Sequence, residues 1–393
     1  MTEFIYFFVI LTAGLLFSEV FKRLHLPWVA ALIIAGIIIG PSVLGIIEPN
    51  QTISVIGQIG LVFLMFMAGL ETKFSAFRNM RREVSVISLF SGAIPFLVGM
   101  GIGLLFGLPI ITSLLIGIVF VSSSVAVVIP VFEGAQLLRA KLGKTIMASV
   151  MIQDVVSLVL VSIFFQATDP VTVLPLWLFY ILLILFLVTF RFVVPYIEKY
   201  LKKHWIGKRD IFQRELQIVF VILLGTVLSF ELLGLHPIVA GFFAGLVLSD
   251  SITNETLKSK LRVLAYGLFI PIFFILVGLE TNLYALGGAG LFAVVLIIGS
   301  MASKYFSGWL SARAVGFKKL SAQIIGVSGI PSLSTTLAVV FLAFEVGIFD
   351  DTLVAAMVGL SVVSTFVAPI LMRWLVGKLR ESPVGTEAML KKK

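Results

Sequence analysis

Apolar residues run along the chain in blocks of about 20, the length a helix needs to cross a hydrocarbon core, set off by short polar, glycine or proline breaks. The blocks predict spans near 4–21, 28–47, 53–70, 84–107, 112–132, 145–167, 173–194, 215–233, 236–249, 264–280, 288–312, 321–345 and 352–376, each bounded to within several residues. Thirteen crossings place the two termini on opposite faces of a bilayer. The opening MTEF has an acid and no basic region, so the first block reads as a retained span and not a cleaved signal.

Composition agrees with this pattern: 60% of the 393 residues are hydrophobic and 12% charged, a balance expected of an integral membrane protein. Zero cysteines exclude disulfides, thiolate metal sites and cysteine nucleophiles. The net charge of +9 invites a nucleic-acid reading until its placement is considered. Of 29 Lys and Arg, 28 lie on alternate ends of the spans, opposite loops that carry Glu48, Asp169, Glu231, Glu280, Asp350 and Asp351. By the positive-inside rule the N-terminus is outside and the C-terminus cytoplasmic. The charge therefore encodes topology in a plasma membrane, and no nucleic-acid partner is expected.

Lys304 breaks the rule, lying about nine residues from the inner end of its span, while Asp154 lies about ten residues into another; at 1.5 Å per residue both sit near the bilayer centre. A charge there costs about 2.5–3.5 kcal/mol on insertion scales, so such groups face a protein interior or watery cavity and mark function. Thr145, Ser149, Gln153 and Ser157 recur at i+4 with Asp154 at the edge of their stripe, and Ser300, Ser303, Lys304, Ser307 and Ser311 form a second stripe. Two polar faces in apolar helices should look at one another or at water.

Internal repetition sharpens the picture. GLET occurs at 69–72 and 278–281, and AG at 35–36 and 244–245, both at an offset of 209 residues. Seven crossings separate the two GLET copies, so the repeats are inverted, an arrangement by which many secondary transporters build a central site. The same offset carries SSSVAVVIP (122–130) onto PSLSTTLAV (331–339). Both are serine-rich, proline-marked interruptions, expected to break two helices at the midplane around Ser122, Ser123, Ser124 and Val125 and around Pro331, Ser332, Ser334 and Thr335. Close packing of small residues is the alternative explanation for either segment alone.

The segments LPWVAALIIAGIIIGPSVLG (26–45), IGLVFLMFMAGLE (59–71), SSSVAVV (122–128), GKTIMASVMIQDVV (143–156), HPIVAGFFAGLVLS (236–249), PIFFILVGLETNL (271–283) and STFVAPIL (364–371) together resemble the monovalent cation:proton antiporters of family two. The resemblance spans nearly the whole chain. It implies an all-α fold of thirteen transmembrane helices, with two crossed broken helices in a core domain, a dimerisation domain that makes a homodimer, and elevator-like alternating access. It also implies that Asp154 binds the cation or proton, that Gln153 stands where the Kef-type potassium branch has glutamine, and that Lys304 matches the buried lysine facing the acidic pair of electrogenic members. Two departures stand out. The PRGE of many relatives is Pro331-Ser332-Leu333-Ser334 here, and little chain follows Lys378, so no cytosolic nucleotide-binding domain is expected.

The expected organisation is a single transporter unit over 1–393: repeat one about 4–167, a linker helix about 173–194, repeat two about 215–376 and a short basic tail, 377–393. The expected function is exchange of Na⁺ or K⁺ for H⁺ at Asp154, assisted by Gln153, Ser157 and unwound backbone near Ser123 and Ser124, with Lys304 compensating charge and no cofactor. A cation channel without obligatory proton coupling is the alternative. An enzyme is not expected, since no metal cluster, nucleophile triad or phosphate loop stands out.

Overall fold

Lipid offers no hydrogen bonds, so a spanning chain satisfies its backbone internally. The computed structural model obeys this with helices throughout, and describes residues 2–23, 27–72, 82–138, 140–168, 214–232, 237–249, 252, 255–288 and 290–381, with scattered positions between 178 and 200. The predicted linker helix 173–194 and the tail beyond residue 381 fall largely outside the described residues.

In chain order the helices are α1 (Thr2–Arg23), α2 (Trp28–Ile39), α3 (Gln51–Glu71), α4 (Arg82–Leu105), α5 (Ile110–Val121), α6 (Val125–Gly134), α7 (Lys141–Thr168), α8 (Arg214–Leu232), α9 (Pro237–Leu248), α10 (Glu255–Leu264), α11 (Ile270–Leu279), α12 (Leu283–Gly288), α13 (Gly290–Ala314), α14 (Lys319–Ser328), α15 (Ser334–Glu345) and α16 (Asp351–Glu381). Among the described residues seven helices, α10 and α11 joined as one, are long and apolar enough to cross a membrane, with shorter apolar helices between them.

Two predicted spans are split as the serine-rich interruptions required: 112–132 becomes α5 and α6 around Ser122–Ser124, and 321–345 becomes α14 and α15 around residues 329–333. Elsewhere the structure corrects the boundaries. The helical run predicted from 264 begins at Glu255, so Lys258, Lys260 and Arg262, which fall between the predicted spans 236–249 and 264–280, lie on α10. Leu257 and Leu261, one turn apart, are buried there while Lys258 and Lys260 are half-buried and Arg262 is exposed, an amphipathic turn too polar to read as a membrane segment. A π-helical turn, Ala265–Phe269, joins α10 to α11. Likewise α2 stops at Ile39, because Pro41 cannot continue the helix and the chain turns through Gly45 at φ 60°.

The chain divides into two compact units, residues 1–49, 79–161 and 275–393 in the first and 50–78 and 162–274 in the second. The inverted repeat is legible in each as the same glycine device. In the first unit α2 crosses α11 so closely that a Cβ on Gly36 would overlap the Ile275 carbonyl oxygen and one on Gly278 the Ile33 carbonyl oxygen. In the second, α9 crosses α3 with Gly245 against the Phe66 carbonyl and Gly69 against the Phe242 carbonyl. Gly36 and Gly245 are one repeat pair, Gly69 and Gly278 the other, so each crossing joins a helix of one repeat to a helix of the other. Both GLET motifs also end their helices alike. The Thr72 hydroxyl donates to the Ala68 carbonyl at 2.8 Å and its N–H to Gly69 at 3.1 Å; the Thr281 hydroxyl donates to Val277 at 2.6 Å and its N–H to Gly278 at 3.2 Å.

Candidate functional site

The site lies wholly within the first unit, where the two interrupted helices cross. A broken helix frees backbone groups that must find partners away from water. Here they find one another: the Ser124 N–H donates to the Pro331 carbonyl at 2.8 Å, so the two unwound segments share a hydrogen bond. The Ser123 hydroxyl donates to the Gly329 carbonyl at 2.8 Å, and the Ser332 N–H donates to the Ser364 hydroxyl at 3.2 Å. Ser122 and Thr336 pair their hydroxyls at 2.8 Å across the crossing. These bonds explain why serine and threonine, short side chains that reach local backbone, crowd the interruptions.

α7 brings up the acid. Thr145, Ser149, Gln153 and Ser157 are buried, and Asp154 at the edge of their stripe is partly exposed, the disposition that the i+4 spacing predicts. The Gln153 carbonyl oxygen accepts from the Ser123 hydroxyl at 3.0 Å, fastening α7 to the first interruption. Ser157 donates to the Ile118 carbonyl on α5 at 3.3 Å, which pins α7 to the first half of the broken helix. Asp154 itself faces the Thr335 side chain and the Ser123 backbone. One of its oxygens, Oδ1, is buried with no hydrogen-bond partner, and so is the Ser124 hydroxyl. Buried polar atoms are nearly always partnered, so free oxygens beside unwound backbone form a receptor for something that gives hydrogen bonds or carries positive charge. No group of three or more His, Cys, Asp or Glu suited to a resident metal exists among the described residues.

Lys304 reaches the crossing from α13 and is 1% exposed. Its ammonium donates to the Ser122 carbonyl and to the Ser332 hydroxyl, so it bridges the two interruptions. The Ser122 carbonyl stands at the C-terminal end of α5, where the helix dipole is negative. Asp154 lies within electrostatic range of the ammonium, yet no direct ion pair between them occurs among the described contacts. The rest of the α13 stripe divides by partner. Ser303, Ser307 and Ser311 donate to carbonyls of their own helix, whereas the Ser300 hydroxyl, one turn from Lys304, is buried and unpartnered.

Val125 and Ser334 are the first residues of α6 and α15, and neither helix has a side-chain cap at its N-terminus. Both positive helix ends therefore open at the interruptions, alongside the negative ends of α5 and α14. Sequence reasoning placed α16 as the span 352–376 but gave its polar face no part in the site. Ser361, Ser364 and Thr365 are fully buried on that helix, and Ser364 holds the second interruption. Their i, i+3, i+4 spacing inside an apolar span is the same signal that found the α7 stripe. Thr336 and the Gly329 carbonyl were also missed, because only the crossing shows what they meet.

A family model described as sodium/hydrogen exchanger, transmembrane, matches residues 7–378. The chain belongs to this family. The family is one of transporters, and its members are multi-pass membrane proteins. Similar proteins include a probable Na(+)/H(+) antiporter 3 of Methanocaldococcus jannaschii, 30% identical over 93% of this chain and 95% of its own length. The Na(+)/H(+)-K(+) antiporter GerN of Bacillus cereus is 24% identical over 95% of this chain and 97% of its own. The solved structure of the sodium proton antiporter MjNhaP1 from Methanocaldococcus jannaschii matches with a TM-score of 0.68 over 99% of both chains. At 16% identity that likeness shows the fold, an all-helical bundle with an inverted repeat and two crossed discontinuous helices.

Proposed function

We propose that this sodium/hydrogen exchanger family member exchanges a monovalent cation, Na⁺ or K⁺, for H⁺, with Asp154 as the group that carries one or the other. The observation that carries the reading is the unpartnered Oδ1 of a partly exposed aspartate placed against two broken helices. A carboxylate, unwound carbonyls and hydroxyls are hard oxygen donors, the kind that replace the hydration shell of alkali cations. A carboxylate also takes a proton at the same oxygens, so the two ligands exclude each other, and that competition couples their fluxes. The relatives named as Na(+)/H(+) antiporters support sodium, and GerN, named for potassium as well, keeps K⁺ within the proposal.

In this reading Gln153 and Ser157 act mainly by anchoring: one holds Ser123, the other holds α5, and both keep Asp154 against the interruption. Cation contact falls to Asp154, the Ser124 hydroxyl and free backbone oxygens. Pro331, Ser332, Ser334 and Thr335 shape the opposite wall. Exchange proceeds by elevator-type alternating access in a homodimer in the plasma membrane, with the N-terminus outside and the C-terminus cytoplasmic. Proteoliposomes carrying a pH-reporting dye test the core of the proposal. Imposed Na⁺ or K⁺ gradients should drive proton movement that Asp154→Asn abolishes; unchanged exchange in that variant would refute the assignment, and unitary currents in planar bilayers would favour a channel instead.

A further inference from the structure

The Lys304 ammonium does not occupy Asp154. It occupies a cradle of neutral oxygens, the Ser122 carbonyl at the negative end of α5 and the Ser332 hydroxyl on the second interruption. Three more hydroxyls in the surrounding helices, Ser300, Ser361 and Thr365, are buried at 0% exposure and unpartnered. Ser300 is one turn from Lys304 on α13. Ser361 and Thr365 flank Ser364, whose bond to the Ser332 N–H turns that face of α16 toward the same segment. A backbone carbonyl at a helix C-terminus beside a neutral hydroxyl is a donor set for a weakly hydrated monovalent cation, and an ammonium is such a cation.

We propose that this cradle is a second monovalent-cation seat, separate from Asp154, which the Lys304 ammonium keeps filled and which K⁺ or NH₄⁺ takes when the lysine side chain withdraws. The proposal rests on the reading that monovalent cations enter the crossing, and adds a seat there beside Asp154. It gives the lysine a defined job as a tethered surrogate for the transported ion, and assigns Ser332 and Ser364 as its positioning residues. Where a direct pair with Asp154 would tie the lysine to the acid, the cradle leaves the carboxylate free for its own ligand.

The test removes the tether and asks what returns. Thermal unfolding of purified Lys304→Ala is followed in KCl, NH₄Cl, NaCl and choline chloride at constant ionic strength. The variant should melt below the native protein, and K⁺ or NH₄⁺ should restore the loss with an apparent affinity about tenfold or more above any effect of choline, by selective binding to the folded state. Adding Ser332→Ala should weaken that response about tenfold, since one cradle oxygen is gone. Adding Asp154→Asn should leave it in place. Lys304→Gln, which preserves most of the side-chain volume, provides the same measurement should the alanine variant fail to fold. A response no different from choline overturns the proposal. A response lost with Asp154→Asn and indifferent to Ser332→Ala also overturns it, while leaving Asp154 as the carrier; loss of exchange chemistry at Asp154 with the Ser332-dependent response intact would do the reverse.

Discussion

Ser123→Ala probes the crossing most sharply, because its hydroxyl joins the first interruption, the second interruption and α7 at once. The hydroxyl has one proton for two acceptors, Gly329 at 2.8 Å and Gln153 at 3.0 Å. The shorter bond takes the larger share, and removing the donor leaves a buried carbonyl unsatisfied. Such a loss costs about 1–3 kcal/mol, counted once and not twice. With an unfolding entropy of about 2 cal/mol/K per residue, a chain of this size melts roughly 1–4 °C lower. The Gln153 share is isolated by a double-mutant cycle with Gln153→Ala, read by equilibrium unfolding in mixed micelles. Coupling of about 1 kcal/mol is expected for a buried hydrogen bond. Because the Ser123 backbone faces Asp154, both single variants should also raise the cation concentration for half-maximal exchange in proteoliposomes. Additivity within about 0.3 kcal/mol would refute the reasoning, since it would mean that α7 is not fastened to the interruption through this pair.

Gly36→Ala and Gly245→Ala should each destabilise by about 1–3 kcal/mol or more, because both methyl groups meet a carbonyl oxygen of the crossing helix, whereas Gly101→Ala, with nothing near its Cβ, should be neutral; monodispersity after heating separates the three. Gln153→Asp should change the preference between Na⁺ and K⁺ or the charge moved per cycle, measured as current under clamped voltage, by adding a second carboxylate beside Asp154. Glu280, immediately beyond α11, is pushed up to about 7 by burial and then by the charge of Glu345. A carboxyl raised in the folded state binds more protons there than in the unfolded chain, so its contribution falls as pH rises from about 5 to 7. Glu280→Gln should therefore flatten the loss of thermal stability across that window, and an identical pH profile in the variant would remove Glu280 as its source.

Much of this protein was written in one dimension. Block lengths and the alternation of basic ends set the spans, because lipid demands about 20 apolar residues and charge sorts the loops. Depth singled out Asp154 and Lys304, and the offset of 209 residues found both interruptions and both glycine pairs before any of them had a partner. These are properties of a chain read residue by residue, for which helical period and bilayer thickness suffice. Contact is different. Nothing linear indicates that Lys304 reaches across to Ser122 and Ser332, that Gln153 is held by Ser123, or that Ser364 supports the second break, since each joins positions 28 to 182 residues apart. The helical start at Glu255 was missed for a simpler reason: residues 255–263 are too polar to count as an apolar block, although Leu257 and Leu261 are buried on that helix. The sequence by itself determined which groups lie deep in the membrane; the tertiary structure decided which of them meet, because pairing depends on where two broken helices cross, and that is a property of packing in three dimensions.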